Sequence, residues 1–265
     1  MNATEIESLT AFASQLADAA ANVTLKHFRQ QVTIDNKLDG KAFDPVTIAD
    51  RDAETAIRTL IKASHPTHGI LGEEHGREMG ESALYWVLDP IDGTRSFIAG
   101  VPLWGTLIAL NNGTRPMIGV MDQPYLGERY LGFPGGAKLI RHDEVHPIRT
   151  RPCASLSEAI MGTTDPVIFD RETELPAFKQ VRSKTRLTRY GADCYFYCLV
   201  AAGLTDLVVE AGLQAYDIQA LIPIIEGAGG IVTDWQGGDP QMGGRVIAAG
   251  DRRVHEEALE MLSKV

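Results

Sequence analysis

The stretch "YWVLDPIDGT" (Tyr85–Thr94) decides how the chain is read. Its opening, Tyr85 to Asp89, reads as a buried strand that ends on a carboxylate. Asp89 and Asp92 are separated only by Pro90 and Ile91, and Gly93 and Thr94 follow at once. Pro90 fixes φ and stiffens the turn, which limits how far the two carboxylates can swing apart. Gly93 allows close backbone approach. Two neighbouring carboxylates raise one pKa unless a cation neutralises them. Mg²⁺ is the natural candidate, because it prefers oxygen ligands, keeps several waters and commonly works with a phosphate substrate. Two metals close together recur in phosphatases and nucleases, one at the attacking and one at the leaving oxygen. Gly93 and Thr94 are expected to begin a short helix through Ser96 and Phe97, whose free N–H groups would face a phosphate.

On either side of this stretch the hydrophobic period changes. Upstream, Ile6, Leu9, Ala13, Leu16, Ala20 and Val23 mark one face of a helix, and Thr4 with Glu7 fits a capping box for it. A second helix follows from Ala49, Ala53, Ile57, Leu60 and Ile61, with Thr47 or Asp50 as N-cap. Downstream, "LWGTLIALNNG" and "RPMIGVMDQP" read as strands joined through Asn112-Gly113, and "GERYLGF" as a third. Sheet with segregated helices gives an α+β first half, residues 1–145. The segment 135–150, rich in Gly, Pro and charge, reads as the boundary. Beyond it, "AIMGTT", "TDLVVE", "GGIVTDW" and "RVIAAG" read as strands, with helices near 194–202, 217–228 and 252–262. That alternation makes residues 146–265 an α/β half.

Acidic residues collect at the ends of these elements: Asp50, Glu73 and Glu74 in "GILGEEHG", the Asp89–Asp92 pair, and Asp217. For a single such residue a helix cap or a solvated turn is the ordinary reading, and Asp50 and Asp217 fit it. The pair does not. An EF-hand fails on spacing, no histidine pair has zinc spacing, and neither a Walker A sequence nor a Gly-x-Ser-x-Gly elbow is present.

The chain has 265 residues and a formal net charge of −10. It can bury a sizeable core, and it has no basic run to suit nucleic acid. Its three cysteines, Cys153, Cys194 and Cys198, suit a reducing compartment, and Cys194 and Cys198 read as buried thiols. The first residues carry no basic leader and no apolar run is long enough to span a bilayer, so the expected setting is the cytoplasm with no membrane partner.

Four blocks in order, "DPVTIADRDAE", "GILGEEHG", "WVLDPIDGTRSF" and "VVEAGLQAYDIQALIPIIEGAGG", resemble the inositol monophosphatase superfamily of Mg²⁺-dependent phosphatases. The resemblance implies a layered αβαβα sugar-phosphatase fold. It implies Glu73, Asp89, Asp92, Asp217 and the Ile91 carbonyl as metal ligands, with Glu73, Asp89 and Ile91 on one metal and Asp89, Asp92 and Asp217 on another. Asp50 and Thr94, with Glu73 assisting, resemble the group that orients the attacking water, and the Gly93 and Thr94 amides would contact the phosphate. It further implies two or three Mg²⁺ per site, with Mn²⁺ as an alternative, and a homodimer. The expected chemistry is direct in-line attack of a metal-activated water on a small phosphate monoester, with no phospho-enzyme.

Within the superfamily the chain is most similar to the histidinol-phosphatase branch, through "DPIDGTRSFIAGVPLWGTLIAL", "RTRPCASLSEAIMGTTDP" and "RYGADCYFYCLVAAGLTDLVVEAGLQAYD". That last stretch implies substrate contacts from Gly191, Ala192, Asp193, Glu210 and Asp217. A carboxylate at Asp193 near Glu210 suits the ammonium of an amino alcohol phosphate, a contact of roughly 1–3 kcal/mol when partly desolvated. Two bland alternatives stand beside this: Asp193 as a cap on the helix starting at Cys194, and Glu210 as a strand-end residue facing solvent. The other readings of function are an inositol-phosphate or broad sugar/nucleotide phosphatase, and a non-catalytic binding protein.

Overall fold

The computed structural model describes residues 1–30, 34–36 and 45–265, apart from the side chains of 34–36, 45 and 46. Asp44, which opens "DPVTIADRDAE", lies outside the described residues. In chain order the elements are α1 (Ala3–His27), β1 (Ile34–Asn36), β2 (Pro45–Thr47), α2 (Ile48–Ser64), β3 (Gly69–Gly72), β4 (Gly76–Glu78), β5 (Tyr85–Asp92), α3 (Thr94–Ile98), β6 (Gly105–Asn111), β7 (Pro116–Gln123), β8 (Glu128–Phe133), β9 (Gly136–Arg141) and β10 (Glu144–Pro147). They continue with β11 (Ile160–Thr163), α4 (Glu174–Lys184), β12 (Leu187–Tyr190), α5 (Asp193–Ala201), β13 (Leu207–Leu213), α6 (Ala215–Ile218), α7 (Leu221–Gly227), β14 (Ile231–Asp234), β15 (Gly244–Ala249) and α8 (Arg252–Leu262).

Both N-terminal helices form where the apolar period places them. Leu9, Ala13, Leu16 and Ala20 of α1 are buried against Ala53, Ile57 and Ile61 of α2. The cap of α1 differs from the expected Thr4–Glu7 box. Asn2 caps it instead: its side chain accepts from Glu5 N (3.0 Å), and Glu5 accepts from Asn2 N (2.7 Å). Asparagine is at least as good a cap as threonine, so the helix starts earlier. Thr47 caps α2, with Asp50 reciprocating from the third helical position.

Eight strands form the first sheet in the order β10-β9-β8-β7-β6-β5-β3-β4. The β3–β5 pair is parallel and the others are antiparallel. Asn112-Gly113 does join β6 to β7, but within a longer turn across 112–115, which the Asn112 side chain holds by accepting from Thr114 and Arg115 amides. Residues 135–150, expected as a boundary, contain the strands β9 and β10 at the edge of this sheet. All four residues of β10 are exposed, so its charge and Pro147 mark a sheet edge.

The second sheet has the order β12-β11-β13-β15-β14, with β12–β11–β13 parallel and the rest antiparallel. Alternation sorts its side chains. Val208, Val246 and Ala248 face α5 and α7, and Leu207, Val209 and Ile247 face α4 and α8. The first sheet does likewise, with Trp86, Leu88 and Ile108 toward α1 and α2 and Val87, Leu107 and Ala109 toward α5 and α7. Five layers result: α1/α2, the first sheet, α5–α7, the second sheet, and α4/α8. This is the αβαβα stack that the resemblance implied.

The middle layer packs tightly because two glycines clear its seat. Gly119 and Gly132 are register partners on β7 and β8. A Cβ at Gly119 would lie 1.9 Å from the Ala220 carbonyl oxygen, and one at Gly132 would lie 2.1 Å from the Pro223 backbone. The start of α7, just after Asp217, therefore rests directly on the sheet that carries Asp89 and Asp92. The apolar pattern predicts one helix across 217–228. The structure breaks it into α6 and α7, with Asp217 inside α6 and not at a helix start.

Candidate functional site

Asp89 and Asp92 are three residues apart, so a regular strand would send them to opposite faces of the sheet. A bulge prevents that. Asp89 pairs with Leu107 and Asp92 with Gly105, so three steps on β5 match two on β6 and both carboxylates reach the same face. Pro90, with no N–H to lose, occupies the bulge, and its carbonyl accepts from Thr106 Oγ1 (2.7 Å). Ile91 buries its side chain beside Phe97 and Trp104, while its carbonyl accepts from Thr94 Oγ1 (3.0 Å). Gly93 has φ +80°, and a Cβ there would lie 3.0 Å from Asp193 Oδ2, so only glycine is comfortable.

A second bulge shapes the opposite wall. Glu210 pairs with Val246 and Leu213 with Gly244, with Gly212 at φ +78° between them. Glu210 is buried and accepts from Thr164 N (2.8 Å), Thr164 Oγ1 (2.6 Å) and Tyr197 OH (3.3 Å). It is not the solvent-facing strand end that the sequence left open. Asp193 is not a helix cap either: α5 starts at Asp193 itself and has no side-chain cap bond. Its backbone sits at φ +42°, a left-handed conformation costing a non-glycine residue about 1–2 kcal/mol. Its carboxylate accepts from Ser96 Oγ (3.4 Å).

The cleft between these walls has a volume of about 560 Å³. It is lined by Glu73, Asp92, Gly93, Thr94, Gly191, Asp193, Glu210 and Asp217 among the expected residues, and by Arg95, Ser96, Thr164, Tyr197, Gln214 and Tyr216 among those not foreseen. Asp50, Asp89 and Ile91 are buried and do not line it. Ala192 does not line it either, because its side chain packs in the core between the two sheets.

Asp89 lies just behind Asp92 and Asp217, and one carboxylate oxygen from each of the three lies within 4.8 Å of the others. Four of the aspartates also commit an oxygen to a backbone amide. Asp89 Oδ1 accepts from Ile91 N (3.0 Å) and Asp50 Oδ2 from Thr47 N (2.8 Å). Asp217 Oδ2 accepts from Gln214 N (2.7 Å) and Asp92 Oδ2 from Cys194 N (2.8 Å). These bonds fix which oxygen each acid turns elsewhere. Both bland readings of Asp50 and Asp217 are thus half right: each caps a helix, reciprocally from its third position.

The electrostatics are those of anions crowded out of water. Burial, then the charges of Glu73, Asp92 and Asp217, push Asp89 well above the usual carboxylate range. Burial, then Asp193 and Asp217, do the same to Asp92. Asp50 is raised by burial, against its bonds to Thr47. Burial pushes Glu210 up to about 7, with Asp193 adding to the rise. Such a set of hard oxygen donors fits a divalent cation, whose charge would offset theirs. Cys194 and Cys198 are buried and unpaired, and burial raises both thiols.

Thr164 and Tyr197 carry signals in the sequence. Thr164 follows β11, a strand of the parallel part of the sheet, and ligands gather beyond the carboxyl ends of such strands. Tyr197 lies one helical turn after Asp193.

The profile of the inositol monophosphatase family matches residues 5–265. A chloroplastic protein of Arabidopsis thaliana named bifunctional phosphatase IMPL2 is 46% identical, over 98% of this chain and 76% of its own. A protein of Chlorobaculum parvum named histidinol-phosphatase is 37% identical over 85% of each chain. The solved structure of an inositol monophosphatase from Zymomonas mobilis superposes with a TM-score of 0.86 at 43% identity, covering 99% of both chains. Among the described residues no helix is long and apolar enough to cross a membrane.

Proposed function

Starting from a chain that belongs to the inositol monophosphatase family and is a phosphoric monoester hydrolase acting on small phosphorylated substrates, we propose that its substrate is an amino alcohol phosphate, L-histidinol phosphate. The observation that carries this reading is the acidic wall beside the Asp89–Asp92–Asp217 cluster. Asp193 and Glu210 both line the cleft there, each raised by removal from water, Glu210 further by the charge of Asp193, while the Arg95 guanidinium offsets part of the rise at Asp193. An ammonium bound against them would draw both into the charged form, whereas a neutral polyol offers no charge to offset theirs. The likeness to the Chlorobaculum parvum histidinol-phosphatase supports the same reading.

In this reading the cation is Mg²⁺, which would be held at two positions, one by Glu73, Asp89 and the Ile91 carbonyl and another by Asp89, Asp92 and Asp217. Bound there it neutralises phosphate charge and makes water a better nucleophile. The chain's own groups do the rest. Asp50 and Thr94 orient the attacking water, and the Gly93 and Thr94 amides hold the phosphoryl oxygens. Asp193 and Glu210 seat the ammonium so that the phosphate is presented in line. A homodimer in solution, checked by light scattering, belongs to the same proposal.

The test is phosphate release with Mg²⁺ from histidinol phosphate, inositol 1-phosphate, fructose 1,6-bisphosphate and 3′-phosphoadenosine 5′-phosphate. Histidinol phosphate should lead by kcat/KM, and a lead by any other member overturns the assignment. The second reading, an inositol-phosphate or broad sugar phosphatase, is favoured by the likeness to the Zymomonas mobilis structure, and the same ranking decides it.

A further inference from the structure

Glu54 is fully buried on α2, one helical turn after Asp50. It faces the tight turn between β3 and β4 that carries Glu73. Glu73 N donates to the Leu88 carbonyl of β5 (3.1 Å), and the next two amides turn toward α2. Glu54 takes both of them: its Oε2 accepts from Glu74 N (2.7 Å) and its Oε1 from His75 N (3.2 Å). Arg58 Nε donates to the same Oε1 (2.7 Å), and another arm of that guanidinium donates to the Gly76 carbonyl. The packing is at backbone distance, since a Cβ on Gly72 would lie 2.0 Å from Glu54 Oε1.

A buried Glu–Arg pair is weak evidence for stability, because a well-packed apolar pair often serves as well. What such a pair does supply is directionality. Here it fixes three consecutive positions, Glu74 to Gly76, directly after Glu73, to the helix that carries Asp50. Asp50 and Glu73 are close enough for the charge of Glu73 to raise Asp50. We propose that Glu54 is a positioning residue of the cation site: by tying the Glu73 turn to α2 it sets the placement of Glu73 relative to Asp50, and so how tightly the site holds a divalent cation. This rests on the phosphatase reading only in taking Glu73 as a ligand.

The experiment uses the full chain and Mn²⁺ as probe, followed by electron paramagnetic resonance without substrate. Glu54→Gln keeps the length of the side chain, but its amide N–H₂ must face a donor on one side. Loss of an outer partner of a metal ligand weakens binding about 10- to 100-fold, and that is the expected rise in the Mn²⁺ dissociation constant. With saturating cation, KM for substrate should stay within about twofold of wild type. Arg151→Gln is the control. It breaks a bidentate pair with buried Asp206 (2.7 and 2.6 Å) at the far end of β13 from Glu210, and it should lower thermal stability without moving Mn²⁺ affinity. If Glu54→Gln does not fold, Glu54→Asp, which withdraws the carboxylate from the turn, is held to the same threshold.

Mn²⁺ affinity within about twofold of wild type in the Glu54 variant, or an equal loss in Arg151→Gln, overturns the proposal, as does a wild-type chain that binds no Mn²⁺. The two readings fail separately. A wild-type chain that releases no phosphate yet loses Mn²⁺ affinity on Glu54→Gln refutes the phosphatase assignment and supports the positioning role. An active chain with unchanged affinity does the reverse.

Discussion

Glu210 should make the stability of the cation-free protein fall with pH, and Glu210→Gln should remove that fall. Burial, opposed by two bonds from Thr164 and one from Tyr197, raises the carboxyl from 4.5 to about 7. Below pH 4.5 it is neutral in both the folded and the unfolded chain and contributes no difference. Between 4.5 and 7 the unfolded chain releases the proton and the folded chain keeps it, so stability declines as pH rises. Above 7 both are ionised, and the folded state is lower in stability by about 1.4 kcal/mol per pH unit of displacement, about 3 kcal/mol in all. Roughly 2–3 kcal/mol of this falls between about pH 5 and 8. A glutamine in its place would have no charge to lose, and its amide oxygen could still accept from Thr164. Urea denaturation of both proteins in chelator, at four pH values across that range, should give curves that diverge by that amount, the variant being the more stable at the alkaline end. Parallel curves, within about 0.5 kcal/mol, would refute the argument that Glu210 is held in a low-dielectric wall. A bound ammonium should reverse the dependence. KM for the amino alcohol phosphate, relative to inositol 1-phosphate, should fall over the same rise in pH.

Three other substitutions probe the rest of the site. Asp92→Asn keeps an oxygen for Cys194 N but removes the charge of a proposed cation ligand, so phosphate release should drop more than about 100-fold while the denaturation midpoint moves little. A drop of about tenfold or less would count against Asp92 as a ligand. Asp193→Asn should cut the kcat/KM preference for histidinol phosphate over inositol 1-phosphate roughly 10- to 150-fold, on about 1.5–3 kcal/mol for a charged hydrogen-bonded contact. Equal losses on both substrates would mean a structural role. Gly119→Ala drives a methyl into the Ala220 carbonyl and should cost about 1–3 kcal/mol by urea denaturation, with weaker Mn²⁺ binding because Asp217 moves with α7. Unchanged Mn²⁺ affinity in a destabilised variant would show that the seat of α7 does not govern Asp217.

Much of this is legible because the acidic loop is local in sequence. Asp89, Pro90, Ile91 and Asp92 are consecutive, and their crowding can be read without a fold. The helical period of α1 and α2 is equally plain, since each buries one continuous face. What escapes depends on partners far along the chain. The bulge that brings Asp89 and Asp92 to one face exists only against β6. Glu210 looks like any strand end until Thr164 and Tyr197 close over it. Helix α4 leaves little trace because only Ala177, Phe178 and Val181 of its polar sequence are buried. Strands β9 and β10 resemble a boundary because edge strands carry the charge and proline that also mark linkers. Glu54 is visible as the end of "DRDAE", one turn after Asp50, but nothing local says that it reaches the amides beyond Glu73.

The bond from Cys194 N to Asp92 has a bearing on how this cleft could change over generations. It joins residues 102 apart and gears the start of α5, which presents Asp193, to the loop that presents the reacting chemistry. Remodelling the backbone near Asp193 to admit a differently shaped alcohol would pull on Asp92 and degrade turnover along with selectivity. Exchanging the side chain at 193 or 210 leaves that linkage untouched. New specificities should therefore arise here by substitution on a fixed frame, and insertions between Gly191 and Cys194 should be rare among active descendants.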